Sequence, residues 1–259
     1  MLYKYVSLNS NSLKSIFENQ ELYFASVRSM NDPFEGKPYF KFPSRDEIKQ
    51  HLIKRGAKRK NINELTRLAT IDLKENHKNI DKFNESIVSK TGLLCMTPVN
   101  DNLLMWAHYT DSHKGVCFGF DVKRPFDPVF GASYEVIYQD SYPDISLLDL
   151  DYIMAADQNR LSIDTKSLDD FCDRQLYTKA KCWSYEKEVR FHRHPEAYGV
   201  GALEFRKQQL KSIILGCNMG ENVRKKIIKI ARSNYPDIQI YQAILSDQKY
   251  QLKIDEVER

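Results

Sequence analysis

No stretch of the 259-residue chain approaches the ~20 uncharged apolar residues that cross a bilayer, and no basic segment followed by an apolar one opens it. Neither a membrane span nor a secretory signal is expected, and the reading is a cytoplasmic protein with no membrane partner. The five cysteines (Cys95, Cys117, Cys172, Cys182 and Cys217) are odd in number and widely spread, with no C-x-x-C and no paired histidines nearby. That excludes a disulfide framework and a structural zinc site and predicts reduced thiols in or near the core. There is no H-E-x-x-H, no G-x-x-x-x-G-K-[ST], no internal repeat and no low-complexity linker. Without the phosphate-loop spacing, Gly216 and Gly220 read as a strand-to-helix turn with Glu221 placed near the helix start.

What is present is the composition of a soluble globular protein, 42% hydrophobic and 29% charged, long enough to bury a core. Short strands are predicted over residues 2–6, 22–26, 91–96, 115–121, 133–139, 203–205, 210–215, 238–244 and 250–254, and helices over 10–18 and 220–234. A short helix running into a loop is expected over 103–115, and a mostly helical stretch over 147–180. Residues 44–89 are polar and helix-like, with Ser44 and Glu47 spaced as a capping box and apolar stripes from Ile48, Leu52, Ile53, Leu65, Leu68, Ile71 and Leu73. Many short strands with segregated helices predict one α+β domain over 1–259, its core a mixed, mainly antiparallel sheet, with a helical insertion at about 44–89. The net charge of +4 is mild but uneven. The insertion carries Lys49, Lys54, Arg55, Lys58, Arg59, Lys60, Arg67, Lys74 and Lys78, a density suited to RNA or DNA phosphates and equally to a solvated helical hairpin.

Three groups of residues carry chemistry. The run from Cys182 to Phe191 reads as a strand on which Glu186, Glu188 and Arg190 share a face, since residues two apart point the same way. Paired acids flanked by Trp183, Tyr185 and Phe191 could hold a sugar hydroxyl, activate a water or nucleophile, or help bind a divalent metal. The same run also describes a solvated edge strand whose Glu and Lys discourage aggregation. Trp106, His108, Tyr109, His113 and Lys114 form a dense set of stacking and hydrogen-bonding side chains of the kind that lines pockets. Asn31, Asp32, Pro33 and Gly36 make a turn whose acids, Asp32 and Glu35, follow closely on the first two strands.

Tyr3-Lys4-Tyr5, Leu22 to Ser26 with Asn31-Asp32-Pro33-Phe34-Glu35, Leu104 to Tyr109 through Lys114 to Phe120, and Trp183 to Arg190 occur in an order that resembles the bacterial domain-of-unknown-function family twenty-nine seventy-one. More weakly, the order of parts is similar to ADP-ribosyltransferases: a first strand with a polar or aromatic residue, a second strand ending near serine, and a late strand bearing glutamate. That resemblance implies an ADP-ribosyltransferase-like fold, NAD as substrate, and a toxin or phage-defence effector with a nucleic-acid or protein target and an antitoxin or activator partner. It implies that Glu188 bonds the nicotinamide-ribose hydroxyl and stabilises the oxocarbenium-like transition state, and that Glu186 orients or deprotonates the acceptor. Lys4 or Tyr5 would hold the adenosine ribose, Tyr23 or Tyr109 would stack on nicotinamide, and Ser26, Asn31, Asp32, Trp106, His108 and Arg190 would complete the NAD site. No metal is part of this reading. Two other classes stay open: a nuclease gathering Asp32, Glu35, Glu186 and Glu188 around magnesium, and a non-catalytic module that binds a ligand or partner through its Trp, Tyr and His cluster.

Overall fold

Strand β5 (Val116–Phe120) is buried at every position, as suits a run of Val, Cys, Phe and Gly with no polar face. It takes the interior of a five-stranded sheet, between β1 (Leu2–Val6) and β13 (Leu210–Leu215), with β14 (Gln239–Leu245) and β15 (Leu252–Glu256) beyond. Only β13 and β14 run parallel. The crossover between them is helix α5 (Glu221–Asn234), which buries Ile227 and Ala231. Gly216 lies before this helix for a packing reason: a Cβ there would sit 2.1 Å from the His113 carbonyl oxygen. A second sheet, antiparallel throughout, has the order β12 (Gly201–Glu204), β2 (Glu21–Ser26), β4 (Gly92–Met96), β11 (Val189–Arg193), β7 (Gly131–Glu135), β6 (Phe126–Asp127). Tyr3 and Thr97 exchange backbone hydrogen bonds of 2.7 and 3.0 Å, tying β1 to the chain just past β4.

This computed structural model describes residues 1–148, 173–194 and 198–257, with residues 76–81 and 83 described by their backbone alone. The chain forms two compact units: Met1–Ser26, Thr91–Val136 and Cys182–Arg259 make the first, Val27–Lys90 and Ile137–Lys181 the second. Both sheets above belong to the first. Its core is aromatic: Phe120 meets Phe205 and Phe130 edge-on, Phe17 meets Phe118, and Phe130 meets Phe191. Each fully buried side chain of this kind contributes about 1.5–3 kcal/mol. The helix expected over 10–18 is present as α1 (Asn11–Lys14), continued by a wider turn over Ser15–Asn19. Ser10 caps its start, and the chain leaves it at Gln20 with φ 58°.

In the second unit, α2 (Arg45–Lys54) starts at the expected capping box: Glu47 N–H donates to Ser44 Oγ at 3.2 Å, and Ser44 N–H to Glu47 Oε2 at 2.7 Å. Helix α3 (Ile62–Lys90) follows. The predicted apolar stripes divide, since Ile48 and Leu73 pack with Ile145 and Leu147 while Leu65, Leu68 and Ile71 stay exposed. Among its described residues the unit also has two short parallel pairs, β3 (Tyr39–Lys41) with β9 (Asp144–Ser146) and β8 (Ile137–Gln139) with β10 (Thr178–Ala180). The strand expected over 133–139 is thus two, β7 and β8, in different sheets. Residues 149–172 of the stretch expected to be helical, Cys172 included, lie outside the described residues. At its end the chain makes one helical turn over 173–176 and then forms β10 instead of continuing as helix.

Asp127 organises one end of the antiparallel sheet. It is 2% exposed, and its carboxylate accepts from the N–H groups of Lys123, Val129 and Phe130 and from the Gln209 amide. Burial pushes the carboxyl up, but these donors together outweigh it and hold Asp127 below its ordinary value. A group depressed in the folded state stabilises above its unfolded pKa of ~3.9, and that stability is lost as pH falls through the folded value. Asp127→Asn is therefore expected to cost about 1.5–3 kcal/mol at pH 7. In urea unfolding the deficit against wild type should narrow below pH ~4; a deficit independent of pH would show that the carboxylate charge is not what the donors hold.

Candidate functional site

The glutamate pair sits on a turn and not along a strand. Lys181–Glu186 is a 3₁₀ helix, Lys187 has φ 45°, and β11 begins only at Val189. The left-handed residue reorients the chain between the two acids, and Thr97 Oγ1 anchors the turn by donating to the Glu186 carbonyl at 2.6 Å. The expectation that Glu186 and Glu188 share a strand face is thereby corrected. The solvated-edge reading also fails, because Glu186 is 2% and Glu188 6% exposed.

Glu188 and Arg190 do share a face, and they pair. Arg190 is wholly buried and donates from Nε to Glu188 Oε1 at 2.8 Å and from Nη2 to Oε2 at 3.1 Å. A carboxylate taken out of water needs such compensation, and the planar guanidinium supplies it to both oxygens at once. Cys95, opposite Arg190 on β4, has its thiol pushed up to about 12 by burial and then by the negative charge of Glu188. It is a neutral thiol at physiological pH and not a nucleophile. Lys4 on β1 reaches the same strand, its Nζ donating to the Cys95 carbonyl at 3.0 Å.

Glu186 is held from another direction. Helix α4 (Leu103–Tyr109) is capped by Asn102, whose Oδ1 accepts from the N–H groups of Leu104 and Met105. From its last residue, the Tyr109 hydroxyl donates to Glu186 Oε1 at 2.6 Å. Trp106, 0% exposed, is a core residue: its Nε1 donates to the Asn100 carbonyl at 2.9 Å and the Tyr5 ring meets it edge-on at 5.3 Å. Tyr5 in turn donates to the Val99 carbonyl at 3.0 Å, and its hydroxyl is pushed up, chiefly by burial. Trp106 and Tyr5 thus brace α4: the Trp106 ring is enclosed, and the Tyr5 hydroxyl, expected at the adenosine ribose, donates to the Val99 carbonyl. His108 is exposed beside Trp183, which lies against Tyr185.

The first unit therefore pairs Glu188 with Arg190, on a strand beside the one that Lys4 reaches, and Glu186 with Tyr109. Tyr23, 53% exposed, stands on β2 opposite Ala202, and Ser26 ends that strand opposite Gly92. Asn31 and Asp32 belong to the second unit, where Asn31 is exposed and Asp32 is buried with its Oδ1 accepting from Phe34 N–H at 2.9 Å. Among the described residues no three His, Cys, Asp or Glu side chains converge as a cation site. Glu35, Glu186 and Glu188 are instead engaged by Lys179, Tyr109 and Arg190.

No motif in the sequence marks a cavity of about 490 Å³ within the second unit. Phe34, Tyr39 and Tyr142 line it, together with Gln175 and the buried ion pair of Glu35 and Lys179, 3.4 Å apart. The turn at Asn31 was the one signal in that region. Gln175 and Lys179 fell in a stretch read as helix, where no periodicity set them apart.

No curated protein and no solved structure matches the chain. The stretch that starts on α4 and ends on β11, and so carries Tyr109, both glutamates and Arg190, does find a match: over residues 105–191 the chain resembles the family described as Protein of unknown function (DUF2971).

Proposed function

We propose that the chain is an NAD-dependent ADP-ribosyltransferase-like enzyme, acting as a toxin or phage-defence effector. The observation that carries this reading is the pair of buried carboxylates two residues apart at the entry to β11, each held by its own donor. Breaking a glycosidic bond to nicotinamide develops positive charge on the ribose, and a fixed carboxylate stabilises it. Glu188 is fixed by Arg190, and its carboxylate would accept from a ribose hydroxyl. Glu186, oriented by Tyr109, takes the proton of the acceptor. The order of β1, β2 and a late glutamate-bearing turn at the entry to β11, with Lys4 of β1 reaching β4, supports an ADP-ribosyltransferase-like arrangement. The exposed Lys54, Arg55, Lys58, Arg59 and Lys60 of the second unit suit a nucleic-acid acceptor, and a protein antitoxin or activator would govern the activity.

The test is incubation of wild type, Glu186→Gln and Tyr109→Phe with labelled NAD and a cell extract, followed by separation of protein and nucleic acid. Glu186→Gln is expected to lower transfer by about 10²–10³-fold with its fold intact, and Tyr109→Phe by less. Undiminished transfer by folded Glu186→Gln removes that residue from the reaction. Absence of label in every wild-type fraction overturns the reading as a whole.

A further inference from the structure

We propose that the second unit has a binding site of its own, in the cavity beside Gln175, for a neutral planar heteroaromatic ligand of the nucleobase class. Gln175 is 1% exposed, and neither its Oε1 nor its Nε2 has a hydrogen-bond partner among the described residues. Leaving an amide buried and unpaired costs about 1–3 kcal/mol, so such a group points to a partner that arrives from outside. The amide offers one donor and one acceptor side by side, the complement of the adjacent acceptor and donor on a nucleobase edge.

The rim supplies the second half of the recognition. Phe34 and Tyr39 are each 57% exposed and Tyr142 is 42% exposed, an unusual concentration of uncovered aromatic surface at the mouth of one cavity. The Phe34 and Tyr142 rings stand 6.3 Å apart and tilted by 46°, and Lys37 Nζ lies 5.9 Å over the Phe34 ring, so the exposed Tyr39 and Tyr142 rings are the surfaces on which a flat ring would stack. A volume of about 490 Å³ suits a base or nucleoside. Charge selects against a phosphate: among the described residues Asp32, Glu35, Asp140 and Asp144 line the wall against Lys37 and Lys179, and Lys179 is already paired with Glu35. The site is therefore separate from the NAD chemistry proposed for the first unit and does not rest on it.

Titration of the full chain with adenosine, guanosine, cytidine and uridine by calorimetry, and with their 5′-monophosphates in parallel, tests the proposal. At least one nucleoside is expected to bind, and more tightly than its monophosphate. Gln175→Leu should weaken that binding by about tenfold while leaving the thermal midpoint unchanged or higher, because it removes an unpaired buried amide. Tyr142→Ala, on the exposed rim, should weaken it without affecting stability, and Glu186→Gln should leave it intact. No saturable binding at millimolar nucleoside overturns the proposal. So does a Gln175→Leu variant that melts earlier yet binds as before, since the amide would then be structural.

Discussion

Replacing Arg190 by methionine is expected to destabilise the protein by about 3–5 kcal/mol, because it strands the Glu188 carboxylate in the interior without its counter-charge. The guanidinium is 0% exposed and meets both Glu188 oxygens, so water cannot take its place. The double variant Glu188→Leu, Arg190→Met removes both charges and should lose markedly less than Arg190→Met alone, since the desolvation penalty disappears along with the attraction. Arg190→Lys keeps the charge but not the fork, and should fall between wild type and methionine. Urea unfolding of the four proteins decides it. If Arg190→Met loses less than about 1 kcal/mol, as expected for an exposed pair, the ion pair is not what compensates the buried acid.

Trp106→Ala is expected to cost about 3–5 kcal/mol. The indole is fully enclosed among Tyr5, Met105, Cys117 and Ile214, and its ring nitrogen donates to the Asn100 carbonyl. Alanine would leave a cavity and an unpaired carbonyl in the wall that carries α4. Trp106→Phe refills most of the volume but not the hydrogen bond, and should cost about half as much. Under the proposed function, Tyr109 at the end of the same helix would lose its aim at Glu186, so transfer activity should fall in Trp106→Ala even where most molecules remain folded. Thermal unfolding alongside the transfer assay separates the two effects. A near-neutral melting point would mean that α4 is held by something other than this indole.

How much of this was legible in the sequence depends on how local the cause was. Ser44 and Glu47, three residues apart, announced the start of α2 because a capping box is satisfied within one turn. The buried run of β5 and the amphipathic α5 were legible for the same reason. Glu186 and Glu188 misled because alternation of aromatic and charged residues is the usual mark of a strand. The chain turns at the left-handed Lys187, and the Thr97 hydroxyl that grips the Glu186 carbonyl lies 89 residues away in sequence. Trp106 and Tyr109 lie on one short helix, yet one is core and the other faces an acid, and spacing alone does not tell such neighbours apart. The unpaired amide of Gln175 had no signature at all, since it depends on walls contributed by three distant stretches of chain.

The parallel pairing of β3 with β9 has a consequence for synthesis. Tyr39 lies opposite Asp144, so β3 emerges from the ribosome roughly a hundred residues before its partner exists. At ~5–20 residues per second that is a wait of roughly 5–20 s. Ile48 waits nearly as long for Ile145 and Leu147, and Leu73 about three-quarters as long. Throughout that interval the nascent chain holds an open strand edge beside bare aliphatic side chains, so the yield of the protein in a cell should be governed less by its final stability than by how well chaperones shield this one half-built segment.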